Sequence, residues 1–206
     1  MTRVVWSSRS AWSFLAAMLL LGVVCYLLGN RAIIIDLTTN HPRNRLPYPE
    51  LCAVVSAAIG AAVLRPRFWE WDRVGTVRSR LVAGICAVVG VTFPALLVVV
   101  GSLQLPHETP WAWVVSNAMV YSSAAFGLAP FLGPGAAGGM TLLVYFAVAI
   151  LNNLEPEIGS LLPVAANPSD ETHWAVVVVM VSVVVTIHAI THGATPWSRR
   201  IRASDT

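Results

Sequence analysis

Apolar residues along this chain gather into six stretches: Ala11–Gly29, Leu51–Leu64, Leu81–Leu103, Trp113–Leu132, Met140–Asn152 and Trp174–Ile190. A helix needs about 20 apolar residues to cross a hydrocarbon core of about 30 Å. The first, third, fourth and sixth stretches meet that length unaided. The second meets it only by borrowing Tyr48 and Pro49, and the fifth only by taking in Gly135 to Gly139; otherwise they are interfacial or broken segments. The pattern predicts an all-α polytopic membrane protein with about six transmembrane helices, forming a single transmembrane domain over residues 1–206.

Composition supports a bilayer as the solvent. Apolar residues make up 56% of the chain, charged residues only 11%, and the mean hydropathy is +0.70. A soluble domain carries about 25% charged residues. The hydrophilic stretches are too short to hold a separate soluble domain.

All 13 basic residues are Arg. With six spans, Arg3, Arg9, Arg65, Arg67, Arg73, Arg78, Arg80, Arg199, Arg200 and Arg202 fall on one side, and only Arg31, Arg43 and Arg45 on the other. Basic loops stay inside, so both termini and 65–80 are expected in the cytoplasm, with Pro106–Pro110 and Asn153–His173 outside. Trp111, Trp113, Trp174 and Trp197 flank the spans, where indole settles at the headgroup level. The first span follows two Arg but leads into Asn30 and Arg31 without a small-x-small cleavage site, as an uncleaved signal anchor does. The expected location is the cell membrane, multi-pass.

Several chemistries are disfavoured. Without Lys there is no P-loop lysine for ATP, no Schiff base and no Ser–Lys dyad. Ser122 and Ser123 lie mid-span, at a different depth from His188 and His192 near the inner end of the last span, which argues against an intramembrane serine protease. Four residues apart, the two histidines share a helix face and could hold a metal, although no other span contains His. Cys25, Cys52 and Cys86 lie in spans as small hydrophobes, with no disulfide framework. No Asp, Glu or Arg falls inside any of the six stretches, which weakens ion-coupled transport. The chain is expected to be no enzyme, with no catalytic residues, no cofactor, no metal and no nucleic-acid partner.

Other features concern packing and partners. Ala53, Ala57 and Ala61 share a face, with Ser56 and Gly60 beside them, and Ser123 and Gly127 repeat the spacing. Such faces let helices approach closely, inside a bundle or across a dimer interface. Pro94 and Pro130 are expected to kink their spans. Gly133, Pro134, Gly135, Gly138 and Gly139 suggest a tight inner turn or hinge. The loop 65–80 carries Phe68, Trp69, Glu70, Trp71 and Arg73. It is either an interfacial hairpin on anionic lipid or a docking helix, since aromatic and Arg residues anchor interfaces. The Asn153–His173 loop, with Leu154, Ile158, Leu161, Leu162 and Val164 broken by Pro156, Gly159 and Pro163, is either a surface loop or short helices dipping into the outer leaflet.

This layout resembles the permease subunits of type-2 ABC exporters, and more narrowly small actinobacterial permease-like membrane proteins encoded with an ATPase. The resemblance rests on Arg3–Trp6–Arg9–Trp12 before the first span, the 65–80 loop with its Glu70, Arg73, Gly75 and Thr76, and the apolar external segment of Ile33–Ile35 and Pro47–Pro49. An Arg-rich, Lys-free composition also fits a GC-rich genome. The resemblance implies a membrane-spanning permease subunit of a multicomponent ABC-type exporter. It would move an amphipathic or hydrophobic compound (peptide, lipid or antibiotic) using a separate ATPase subunit, and would form a homo- or heterodimer with another permease. Phe68, Trp69, Glu70, Trp71 and Arg73 would then form the ATPase coupling loop. The alternative is a non-transport membrane scaffold, immunity or regulatory protein bound to another membrane protein.

Overall fold

A computed structural model describes residues 11–37, 44–64, 77–105, 110–166 and 172–198. Its elements are α1 (Ala11–Leu27), β1 (Ala32–Ile35), β2 (Asn44–Pro47), α2 (Tyr48–Val63), α3 (Val77–Ser102), α4 (Ala112–Leu132), α5 (Pro134–Leu154), α6 (Pro156–Gly159) and α7 (Trp174–Thr191). Four segments are long and apolar enough to cross a membrane: Ser79–Ser102, Ala112–Leu132, Pro134–Leu154 and Trp174–Thr191. α1 and α2 are apolar but shorter as described, at 17 and 16 residues.

The helix boundaries follow local chemistry. α2 does take in Tyr48 and Pro49, because a proline in the first turn has the helical φ already and lacks only an N–H that would be unsatisfied there. α5 likewise begins at Pro134 and runs through Gly135, Gly138 and Gly139. The expected glycine-rich turn therefore shrinks to Gly133, whose φ of 84° places it where an L side chain is strained. Pro94 lies within α3, and Pro130 lies in the last turn of α4. The Pro130 carbonyl accepts the Thr195 backbone N–H at 2.9 Å and its hydroxyl at 2.7 Å.

An all-α chain is not quite what forms. Ala32–Ile35 and Asn44–Pro47 pair antiparallel, with Ile33 opposite Leu46 and Ile34 opposite Arg45. Consecutive β-branched Ile residues suit a pleated strand. Ile33 and Ile35 pack with Leu46 against one core cluster, while Ile34 faces outward.

α2 and α4 are central: α2 packs on α1, α3, α4 and α5, and α4 on α2, α3, α5 and α7. Ala53, Ala57 and Ala61 are buried within this chain, as are Ser56 and Gly60. The small-residue face is used for internal packing rather than left open for a second copy. It lets Phe126 of α4 wedge between α2 and α3, where a Cβ on Gly90 would run into the ring and one on Gly60 would come within 3.3 Å of Phe126 Cζ. By contrast, only 17% of α7 and 28% of α5 is buried. Their outward residues, such as Leu143, Val178 and Val179, are apolar, as a lipid-facing surface requires.

Candidate functional site

The residues expected to form the coupling loop, Phe68, Trp69, Glu70, Trp71 and Arg73, lie outside the described residues, as does all of 65–76. The chemistry that the structure does bring together is elsewhere, where the hairpin, α2, α4, α5 and the segment after α6 meet.

Its centre is Glu50, in the first turn of α2 and only 2% exposed. An acidic residue in a first turn is favoured by the helix dipole, but burying a carboxyl away from water demands hydrogen bonds. Asn117 of α4 supplies one, its Nδ2 donating to Glu50 Oε1 at 3.2 Å. The same amide donates to the Ala165 carbonyl at 2.8 Å and accepts the Ala165 N–H at 2.9 Å. One buried side chain thus ties α2 to α4 and pins the chain between α6 and α7 onto the bundle. Around the carboxyl, Trp113, Tyr121, Tyr145 and Ala165 line a small pocket with Arg45 at its rim. The Tyr121 and Tyr145 rings meet edge to face at 5.2 Å between centroids, a favourable arrangement of their quadrupoles. The Tyr145 hydroxyl is buried without a hydrogen-bond partner among the described residues. Space inside is about 10 Å³, which is one water-sized particle.

A second tie closes the same end. Leu37 N–H donates to Asn153 Oδ1 at 3.1 Å, and Asn153 Nδ2 donates to the Ile35 carbonyl at 3.4 Å. Asn153 lies in the last turn of α5, so the hairpin is latched to that helix. The 153–173 segment forms the short helix α6, and Val164 and Ala165 are buried rather than lying on the surface.

Other expectations take different shapes. Trp113 packs inward, unlike Trp111 and Trp174: it is 8% exposed and its indole N–H donates to the Pro110 carbonyl at 3.1 Å. His188 is in α7, its ring tilted against that of Phe126 at 6.0 Å between centroids, whereas His192 caps that helix with φ 55° and meets Ser79 Oγ at 3.3 Å. Among the described residues no group of three or more His, Cys, Asp or Glu could hold a metal. Ser122 donates to its own helix, at the Ala118 carbonyl, as hydroxyls in apolar helices commonly do.

Glu50 is the residue that span-drawing passes over. Spans drawn between charges exclude every charged residue by construction, so the second stretch starts at Leu51. The signal was nonetheless present: Pro47-Tyr48-Pro49-Glu50 pairs proline with an acidic residue in the manner of a helix start. A helix beginning at Tyr48 carries Glu50 inside the bundle. Comparison with known proteins finds no matching family model, curated protein or solved structure.

Proposed function

We propose that this chain is the membrane-embedded permease subunit of a multicomponent exporter, with six membrane-crossing helices and ATP hydrolysis on a separate polypeptide. In this reading both termini and 65–80 are cytoplasmic, the protein resides in the cell membrane, and the cargo is amphipathic or hydrophobic. The supporting observation is the asymmetry of the two ends of the bundle. The hairpin and the segment after α6 fold back over one end, held by Asn153 and Asn117. α2 starts beside the hairpin and runs away from it, so its last residue, Val63, lies at the opposite end, and the Arg-rich sequence follows there in the chain. A closed external end and a charged, aromatic cytoplasmic loop are what a coupled half-transporter needs.

The pocket at the closed end holds one water-sized particle, far too little for such cargo, so a passage would have to form between this chain and a second permease. The same compactness supports the other reading, a scaffold or immunity protein that moves nothing. Co-expression with the products of neighbouring reading frames separates the two. The exporter reading expects an ATPase to co-purify, and expects Trp69→Ala with Trp71→Ala to uncouple its hydrolysis from export while insertion stays normal. An ATPase that binds and is stimulated equally by the double variant would remove the coupling loop, and failure to capture any ATPase would leave the scaffold.

A further inference from the structure

The pocket around Glu50 is built in a way that the exporter reading does not use. A carboxyl removed from water keeps its negative charge only when paired or fully hydrogen-bonded, and otherwise holds its proton. Here the amide of Asn117 is fully committed, to Glu50 Oε1 and to both backbone groups of Ala165. Among the described residues the carboxyl has no other hydrogen-bond or ion-pair partner. Tyr145 lines the same pocket and carries a second oxygen, a buried hydroxyl that bonds nothing among the described residues. The walls are aromatic, from Trp113, Tyr121 and Tyr145, and ring faces attract cations. Arg45, which is exposed, also lines this pocket.

We propose that this pocket binds one small monovalent cation, an alkali ion or ammonium, with Glu50 as counter-charge and the Tyr145 hydroxyl as a neutral oxygen ligand. The space of about 10 Å³ admits a particle of that size and excludes larger amines. Binding would lock the hairpin end, because the ligands come from α2 and α5 while Asn117 ties the same carboxyl to α4 and the chain after α6.

The test uses the purified full chain in mild detergent with choline chloride replaced stepwise by sodium, potassium or ammonium chloride at constant ionic strength. Thermal denaturation is the main readout, with intrinsic tryptophan fluorescence compared between the wild type and Trp113→Phe, since Trp113 lines the pocket. At least one of the three ions should give a saturable response that choline does not. Glu50→Gln, which keeps an acceptor for Asn117, should abolish it. Tyr145→Phe should weaken it about tenfold, the effect of one lost oxygen ligand. Arg45→Gln should strengthen it by removing a like charge. Comparing the ions distinguishes alkali from ammonium binding. A wild-type response no different from choline overturns the proposal, as does a Glu50→Gln protein that responds like wild type. If Glu50→Gln fails to fold, Tyr145→Phe decides, since its hydroxyl bonds nothing among the described residues; unchanged binding there also overturns it. A response that follows the anion when gluconate replaces chloride would overturn it too.

Discussion

The two halves of α4 hold the molecule together by different physics. Its first half, from Trp113 to Tyr121, faces a carboxyl, a backbone strand and aromatic rings, and its geometry is set by directional bonds through Asn117. Its second half presents Phe126 to a slot made by Gly60 and Gly90, with Gly127 against Val184 of α7. Between Phe126 and Gly127 the contact is one of shape, and directional bonds return only at the helix end, where Thr195 donates to the Pro130 carbonyl. In a bilayer, lipid tails solvate Leu and Phe about as well as a protein core does, so helix association depends on close packing and on hydrogen bonds. α4 uses one device at each end.

Breaking the polar half should have the largest effect. Asn117→Leu removes the donor to Glu50 and both bonds to Ala165, leaving buried groups unpaired at a cost of about 3 kcal/mol. The melting temperature in detergent should fall sharply, and protease should gain access to the segment after α6. An unchanged melt would show that the polar half is merely filled, not held. Disturbing the packed half should cost less. Gly90→Ala drives a methyl into the Phe126 ring and should destabilise by about 1–3 kcal/mol, and shrinking the wedge in Gly90→Ala/Phe126→Leu should recover part of that loss. If the single substitution is silent, α3 and α4 are not in close contact there. The smallest effect belongs to the end of the packed half, where Thr195→Val deletes the hydroxyl bond to the Pro130 carbonyl and should cost about 1 kcal/mol. Hydrogen exchange at 194–198 should rise with little change in the global melt.

The same contrast explains what the sequence makes legible. Packing needs only apolar runs of sufficient length, and the runs at Leu81–Leu103, Trp113–Leu132 and Trp174–Ile190 lie within a few residues of α3, α4 and α7. The fifth is harder, because glycines that resemble a turn in sequence serve in the helix as a surface for close approach; a Cβ on Gly138 would lie 2.8 Å from that of Ala58. The polar half depends on partners far apart in the chain. Asn117 is visible as a polar residue in an apolar stretch, but nothing local says that it reaches Glu50, 67 positions away, and Ala165, 48 away. The hairpin is hidden for a related reason: Asn44, Arg45 and Pro47 have the composition of a loop, and only pairing with Ile33–Ile35 makes them a strand.

Gly133 alone separates α4 from α5. Each helix has 21 residues, about 32 Å of length, so their joined ends cannot stand on opposite faces of a bilayer. During biosynthesis the pair has no slack with which to partition one helix at a time: whichever way α4 points, α5 must return. The two should enter lipid as one hairpin-shaped unit. An epitope or cleavage site inserted at Gly133 would give each helix its own choice, and mixed orientation of everything after it is the outcome to look for.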